Sequence, residues 1–259
     1  MYLFIFQNPI IIAKNQQWVN LLSKASFCIV KIVEKLTQKY MKLPVIIVNF
    51  KIYEQAVGDS AVELAKIHER VAKETGASIG VAVTAIDLQR VSEAVSIPVF
   101  AQHLDPVVYG SGTGHVLPAL VKEVGAYGTL LNHAECQVED LVLEKSIKMA
   151  REMDLFTVVC ANTPEKGAEI MKFNPDLIAV EPPELIGGDI SVSKADPSII
   201  EKAVRLIGKN RVLVGAGIKT GEDIKIALAL GASGVLLASG VTKASDPYAV
   251  LMDLVSGLK

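Results

Sequence analysis

From Met41 onward, short apolar runs of four to seven residues alternate with longer segments of helical period, and the alternation occurs eight times. This pattern predicts repeated βα units. The predicted strands cover residues 45–50, 79–83, 98–102, 127–131, 155–160, 176–181, 211–215 and 234–238. Runs such as 44–48 are apolar without alternation, as expected for parallel strands covered on both faces. The eight units occupy 219 residues, about 27 each, which leaves no room there for a second domain.

Eight parallel strands in one chain form either a closed (β/α)8 barrel or an open doubly wound sheet. The barrel is favoured because no Gly-x-Gly-x-x-Gly follows the first strand, whereas polar or glycine residues end strands one, four, six, seven and eight. In a barrel these five ends meet at one mouth, and in an open sheet they would be spread along an edge. The predicted fold is therefore α/β, a single-domain barrel over residues 41–259.

Composition indicates a small-molecule partner. The chain has 26 Lys and Arg against 28 Asp and Glu, a net charge of −2 and no basic run, so a nucleic-acid or membrane partner is not expected. The three cysteines have no CxxC spacing and accompany only four His. This pattern predicts a reducing compartment, the cytoplasm, and no structural zinc.

Residues 1–40 differ from the rest of the chain and are treated as a separate N-terminal extension. They carry five Lys and one acidic residue, a charge of +4, so residues 41–259 carry −6. An amphipathic helix is predicted from apolar residues at helical spacing: Trp18, Leu22, Ala25, Ile29, Val33 and Leu36. Three interpretations stay open: a start codon assigned upstream of a true start at Met41, a docking helix, or a targeting element. Mass spectrometry of the natively expressed protein tests the first, since a mature N-terminus upstream of Met41 would exclude it.

One carboxylate, Glu181, ends the sixth predicted strand and precedes a loop braced by Pro182 and Pro183 and broken by Gly187 and Gly188. A strand fixes such a carboxylate, and a glycine-containing loop can close over it. The segment is typical of a general base under a movable lid. A turn with a solvated Glu is the alternative.

The first and fourth strands end in further polar groups. Alternation along strand one places Asn49 and Lys51 inside the barrel, where an ammonium group is costly to desolvate unless an anion meets it. Strand four leads into His133, whose neutral imidazole could polarise a carbonyl, and Glu135 could orient it or pair with Lys51. The alternatives are a Lys that emerges into solvent and a structural His.

Two small-residue turns follow strands seven and eight, at 215–217 and 238–240. Small residues let backbone N–H groups approach an anion, and phosphate often lies on these two loops of the barrel. The set combines a base, an imidazole, an ammonium group and a phosphate seat, with no metal cluster or cofactor fingerprint. It favours proton transfer next to a carbonyl of a small phosphorylated sugar, in which Glu181 takes a carbon-bound proton and His133 and Lys51 stabilise an enediolate.

Residues 41–259 resemble triosephosphate isomerase of the short archaeal type, a TIM-barrel family. The resemblance rests on eight motifs: Val48-Asn-Phe-Lys51, Phe100-Ala-Gln-His103 with Asp105-Pro106, Gly114-His-Val-Leu-Pro118, Gly128-Thr-Leu-Leu-Asn-His133, Val180-Glu-Pro-Pro-Glu-Leu-Ile-Gly187, Val192-Ser-Lys194, Gly215-Ala-Gly-Ile218 and Leu236-Leu-Ala-Ser-Gly-Val-Thr-Lys243.

The resemblance implies Glu181 as proton acceptor, His133 as electrophile, and Asn49 and Lys51 as substrate contacts, with Glu135 kept beside them. It also implies a cytoplasmic enzyme of glycolysis and gluconeogenesis that needs no cofactor or metal and forms homotetramers. The implied backbone contacts to the phosphate lie at Ile186, Gly187, Gly217, Ala238 and Ser239.

Three positions depart from the family pattern. Ala134 stands where a Ser is usual, Cys136 where a basic residue is usual, and Asp189 lies in the glycine-rich lid. A carboxylate near a phosphate dianion repels it. We therefore predict that Asp189→Gly lowers KM at low salt; an unchanged KM would show that Asp189 faces away.

Two other functions compete with this interpretation. One is another phosphate-binding barrel enzyme, such as a sugar-phosphate isomerase of amino-acid biosynthesis or a thiamin-phosphate type synthase, which the set of Lys51, His133 and Glu181 disfavours. The other is a non-catalytic barrel that keeps a phosphate seat and docks through its N-terminal helix. A binding module has no need of a general base, which disfavours that alternative.

Overall fold

The computed structural model describes residues 41–182 and 196–259. The predicted N-terminal helix and most of the predicted lid lie outside these ranges. Ile186, Gly187 and Asp189, to which the sequence assigned phosphate contacts and a charge effect, are therefore outside the described residues.

The strands form one closed parallel barrel in chain order, in which β8 pairs with β1. The eight strands are β1 Val45–Asn49, β2 Ser78–Val83, β3 Val99–Ala101, β4 Gly128–Leu131, β5 Phe156–Ala161, β6 Leu177–Val180, β7 Val212–Val214 and β8 Gly234–Leu237. The predicted (β/α)8 barrel is confirmed. Predicted and observed strand limits differ by no more than one residue at either end, because the apolar runs coincide with the segments that protein covers on both faces.

Each strand is followed by helix in the described part of the chain. The α-helices are α1 Asp59–Thr75, α2 Leu88–Ala94, α3 Pro118–Glu123, α4 Asp140–Glu152, α5 Pro164–Ile170, α6 Pro197–Ile207, α7 Gly221–Ala229, α8 Ser239–Thr242 and α9 Pro247–Ser256, with 3-10 turns at Glu54–Ala56 and Met171–Phe173. Side-chain caps fix several helix starts. Thr163, Asp196, Thr220 and Asp246 each accept a hydrogen bond from a backbone N–H in the first turn.

Two apolar layers enclose the strands. Ile46 and Val48 of β1, and Phe50 just after it, pack toward the helices, whereas Val45 and Ile47 belong to a separate cluster inside the barrel. This inner cluster fills the barrel beneath its mouth and leaves the carboxyl ends of the strands for polar side chains. Within 41–182 and 196–259, the helices are all too short or too polar to span a bilayer.

Candidate active site

A cleft of about 520 Å³, partly open to solvent, lies at the carboxyl end of the barrel. Its lining joins residues that the sequence predicted as site residues, from the ends of five strands: Asn49, Lys51, His133, Glu181, Gly217, Ala238 and Ser239. Glu135 reaches the same place through contacts with Lys51 and His133. The barrel therefore brings together every predicted site residue that lies in the described ranges.

Lys51 reaches the cleft by a route that strand alternation did not predict. β1 ends at Asn49, and Lys51 has a φ of 49°, in the left-handed region, which costs a non-glycine residue about 1–2 kcal/mol. Its N–H donates to Asn49 Oδ1 at 3.0 Å, and Gln102 Nε2 donates to the Lys51 carbonyl at 3.0 Å and to Asn49 Oδ1 at 3.2 Å. The turn, rather than a continuing strand, aims this side chain, and its 10% exposure rules out a solvated Lys.

His133 is buried and held in one tautomer. Its Nδ1 accepts the N–H of Glu135 at 3.1 Å, so Nε2 carries the proton of the neutral ring. Burial lowers the pKa of His133, the charge of Lys51 lowers it further, and Glu135 opposes both. Lys51 Nζ also pairs with Glu135 Oε1 at 2.7 Å. The imidazole is thus a neutral N–H donor that faces the cleft.

The turn that carries His133 is fixed by its neighbour Asn132, which has a φ of 57°. The Asn132 amide donates to the Cys160 carbonyl at 3.1 Å, and its oxygen accepts the N–H of Val138 at 3.1 Å. Sequence reasoning did not assign a role to Asn132. An Asn after a buried strand is a signal for such a turn, because Asn tolerates the left-handed region.

Glu181 follows β6 directly, and its N–H donates to the carbonyl of Ala161 at 2.9 Å. The residue is 7% exposed, so the alternative of a solvated Glu is wrong. Its Oε2 lies 3.8 Å from His133 Nε2 and has no hydrogen-bond partner among the residues that the structure describes. Burial raises the pKa of Glu181 to about 7, while a hydrogen bond from the Cys160 thiol and the charge of Lys51 act in the opposite direction. A carboxyl group in this state can exchange a proton near neutral pH.

Gly215 and Cys160 bound the slot that holds the Glu181 side chain. A Cβ on Gly215 would lie 2.5 Å from Glu181 Oε1, closer than real Cβ atoms approach, so only glycine leaves this space open. The sequence placed Gly215 in a phosphate turn and did not connect it with Glu181. Cys160 lies inside β5, and burial raises the pKa of its thiol well above the usual range. Cys160 carries no motif from which this contact could have been predicted.

The loops after β7 and β8 form the other wall of the cleft. Ala216 and Gly217 have φ values of 73° and 70°, and α8 begins at Ser239. The first N–H groups of a helix have no partner within it and are available to an anion. Within 41–182 and 196–259, no three His, Cys, Asp or Glu side chains are grouped so that they could hold a metal ion.

A parallel eight-stranded barrel that gathers polar side chains in a cleft at its carboxyl end has the architecture of the TIM-barrel enzymes, whose active sites lie at that end. Sequence comparison assigns the chain within that class. The sequence model of the family described as "Triosephosphate isomerase" matches residues 44–257. The chain belongs to the triosephosphate isomerase family, and it is an isomerase, as the sequence predicted.

Curated relatives named triosephosphate isomerase agree with this assignment. The protein of Methanobacterium bryantii is 49% identical over 217 residues, which cover 82% of this chain and 96% of that protein. That of Methanosarcina barkeri is 47% identical over 219 residues, 83% of this chain and 99% of its own. The fold is shared with the crystal structure of triosephosphate isomerase from Bartonella henselae, with a TM-score of 0.65 at 16% identity, over 82% of this chain and 99% of that one.

Proposed function

We propose that this protein interconverts dihydroxyacetone phosphate and D-glyceraldehyde 3-phosphate through an enediolate, in glycolysis and gluconeogenesis. The observation that carries the proposal is the pair of Glu181 and His133. Their side chains face each other across 3.8 Å, with one pKa raised to about 7 and the other lowered. A base and a neutral electrophile in one cleft are what a 1,2-proton shift beside a carbonyl requires.

Glu181 takes the carbon-bound proton of the substrate in this proposal. Glu181 lines the cleft, and its buried Oε2 is unpartnered among the described residues, which supports its role as the base. The raised pKa makes the carboxylate a stronger base than a solvated Glu while leaving much of it ionised near pH 7. The same group returns the proton to the neighbouring carbon.

His133 and Lys51 stabilise the charge that develops on the substrate oxygens. The neutral ring of His133 offers its Nε2–H as a hydrogen-bond donor, and the largely covered side chain of Lys51 lines the same cleft. Glu135 holds both: its N–H fixes the ring, and its carboxylate pairs with Lys51 at 2.7 Å. Asn49 fixes the turn before Lys51 and lines the cleft. Hydrogen-bond donors that are already in position in the free enzyme need not reorganise as charge develops on the substrate.

The substrate phosphate occupies the wall formed by the loops after β7 and β8. Gly217, Ala238 and Ser239 line the cleft there, and backbone N–H groups at the start of α8 would meet the phosphate oxygens. Ile186 and Gly187, outside the described residues, complete the proposed contacts. We propose no cofactor and no metal for this reaction.

The wider setting is also proposed. Residues 1–40 form an extension separate from the barrel of residues 41–259, and the enzyme acts in the cytoplasm as a homotetramer. Large apolar side chains exposed on the described surface, Ile52 at 81% and Ile86 at 87% among them, support self-association. Size-exclusion chromatography with light scattering tests the assembly.

A coupled assay with D-glyceraldehyde 3-phosphate, run on full-length wild type and on Glu181→Gln, tests the reaction. Removal of the general base is expected to lower turnover by about 10²–10⁴-fold, while the amide keeps the shape of the side chain. Equal turnover in both proteins would contradict the assigned base. A wild type that binds phosphate but does not turn over would favour the non-catalytic barrel.

A further inference from the structure

The turn that carries His133 begins where the pairing of two strands ends. β4 and β5 are in register as far as Leu131 and Val159, the last pair of this ladder. The chain then leaves β4 at Asn132, whose φ of 57° lies in the left-handed region. Because the ladder ends before His133, contacts outside the ladder must fix the position of this residue.

The side chain of Asn132 makes such contacts at both ends of the turn. Its Nδ2 donates to the carbonyl of Cys160 at 3.1 Å, one residue beyond Val159 in β5, and its Oδ1 accepts the N–H of Val138 at 3.1 Å. The first bond extends the connection between the two strands, and the second closes the segment 133–137 against its own start. Asn132 is only 7% exposed, and both ends of its buried amide are hydrogen-bonded, as burial requires.

The same end of β5 also holds Glu181. The N–H of Glu181 donates to the carbonyl of Ala161 at 2.9 Å, and Ala161 is the residue after Cys160. Two consecutive carbonyl groups of one strand therefore hold Glu181 and the turn of His133. The 3.8 Å between His133 Nε2 and Glu181 Oε2 separates two groups that share this support. Loss of either bond to β5 should change the position of one group relative to the other.

A positive φ does not by itself call for these bonds. Asn210 has a φ of 61° and is exposed in the turn before β7. Asn132 differs in being buried and in making the two bonds at 3.1 Å. Glycine adopts a positive φ without strain, so an Asn→Gly substitution at either position leaves the backbone conformation accessible and removes only the side chain.

We infer that Asn132 is a positioning residue of the proposed reaction, whose side-chain amide ties the turn of His133 to the carboxyl end of β5 and so sets the imidazole opposite Glu181. The inference rests on the proposed function and deepens it. Among the described residues, His133 lines the cleft and Asn132 does not. Asn132 therefore acts through His133, and its loss should lower kcat while KM stays nearly unchanged, because the loops after β7 and β8 are not moved.

The test compares full-length wild type with Asn132→Gly and with Asn132→Asp. The aspartate variant keeps an acceptor for the Val138 N–H and replaces the donor to Cys160 with an oxygen, so it breaks the bond to β5 and can keep the other. Asn210→Gly is the matched control, since it makes the same substitution at a positive φ on an exposed turn. Steady-state kcat and KM are measured with D-glyceraldehyde 3-phosphate.

Nitrogen NMR spectra of isotope-labelled histidine rings report on the turn without any reaction. The chain has four His, and His133→Gln assigns the signals of that ring. In wild type the N–H of Glu135 donates to His133 Nδ1 and holds one neutral tautomer, so the two ring nitrogens give well-separated signals. A ring released from this turn exchanges between tautomers, and its two signals move toward each other. The signals of His68, fully buried in α1, show whether the fold is intact.

Asn132→Gly is expected to lower kcat by about 10- to 100-fold with KM within about twofold of wild type, because a displacement of about 1 Å can cost roughly 100-fold in rate. The two ring signals of His133 should move toward each other while those of His68 stay in place. Asn132→Asp should change both readouts in the same direction, and Asn210→Gly should change neither.

Wild-type kcat in Asn132→Gly would overturn the inference, and so would a loss of kcat without movement of the His133 signals. If the His68 signals show that Asn132→Gly does not fold, the same two readouts on Asn132→Asp decide the question. A wild type that does not turn over triose phosphate would refute the isomerase reaction, and the ring signals would still decide whether Asn132 positions His133.

Discussion

Glu181 and His68 are both buried ionisable side chains with pKa values shifted by burial, but their surroundings differ. Both have a polar atom without a hydrogen-bond partner in the described part of the chain, Oε2 of Glu181 and Nε2 of His68. Burial shifts the pKa of each toward its neutral form, to about 7 for Glu181 and to about 4 for His68. Glu181 borders the open cleft, whereas His68 lies in α1 with its ring 5.3 Å from that of Phe50.

The comparison shows that desolvation alone does not make a functional group. His68 Nδ1 donates to the Leu64 carbonyl at 2.7 Å, and the residue is fully buried in the layer between barrel and helices. No substrate can reach it, so its shifted pKa affects only stability. Glu181 has the same kind of shift, but it lies at the end of a strand and lines the cleft. A perturbed pKa indicates function only together with access to a cleft.

Gly215→Ala should displace the Glu181 carboxylate and strongly lower activity. The new Cβ would enter the space occupied by Glu181 Oε1 and Cδ, within 2.5 and 2.7 Å, so the carboxylate must move. A displacement of about 1 Å costs roughly 100-fold in turnover, and we expect kcat/KM to fall by about that factor. Gly112→Ala is the matched control, since a Cβ there meets nothing within 4 Å. Equal activity of the two variants would show that the slot tolerates the methyl group.

The free energies of unfolding of His68→Leu and Glu181→Gln should depend on pH in opposite directions relative to wild type. The folded-state pKa of Glu181 is raised from 4.5 to about 7, so its contribution is present below about pH 4.5 and lost as pH rises through 7. The folded-state pKa of His68 is lowered from 6.5 to about 4, so stability is lost as pH falls from 6.5 toward 4. In wild type the two effects nearly cancel between pH 7.5 and pH 5.

Urea unfolding at pH 7.5 and pH 5 measures this difference. On going to pH 5, His68→Leu should gain about 2 kcal/mol relative to wild type, and Glu181→Gln should lose about 2 kcal/mol. The reference is the change in wild type over the same interval. Parallel curves for wild type and His68→Leu would mean that His68 has a near-normal pKa in the folded protein.

The pH dependence of kcat/KM should sharpen the comparison, because it reports only the group that faces the cleft. As pH falls below about 7, Glu181 becomes protonated and kcat/KM should fall about tenfold per pH unit. The phosphate group of a substrate titrates near pH 6, about one unit lower, so the two limbs are distinguishable. His68→Leu should show the same limb as wild type. A profile that stays flat down to pH 6 would contradict the raised pKa of Glu181.

Much of the barrel could be predicted from the sequence. The apolar runs predicted the limits of all eight strands to within one residue, because parallel strands buried on both faces need continuous apolar sequence. The capping box of Thr220 and Asp223 at the start of α7 is equally local, since capping depends on side chains three residues apart. The polar residues at the strand ends also predicted which side chains would lie close together, because all carboxyl ends of the strands lie at the same end of a closed barrel.

The positions of the side chains could not be predicted in the same way. Alternation placed Lys51 inside the barrel by continuing the strand, but the strand ends at Asn49 and a left-handed turn aims the ammonium group. The contacts of Gln102 with Asn49 and Lys51 join residues more than 50 positions apart in the chain. No local pattern encodes such pairs, because they exist only after neighbouring strands have paired.

The sequence by itself therefore determined the architecture of this protein and the chemical groups available to it. Local periodicity, capping and the apolar runs act within a few residues along the chain, which is why they can be read without a structure. Only the tertiary structure decided how those groups behave. The tautomer of His133, the raised pKa of Glu181 and the slot beside Gly215 arise from desolvation and contacts between distant segments, and these depend on distances through space.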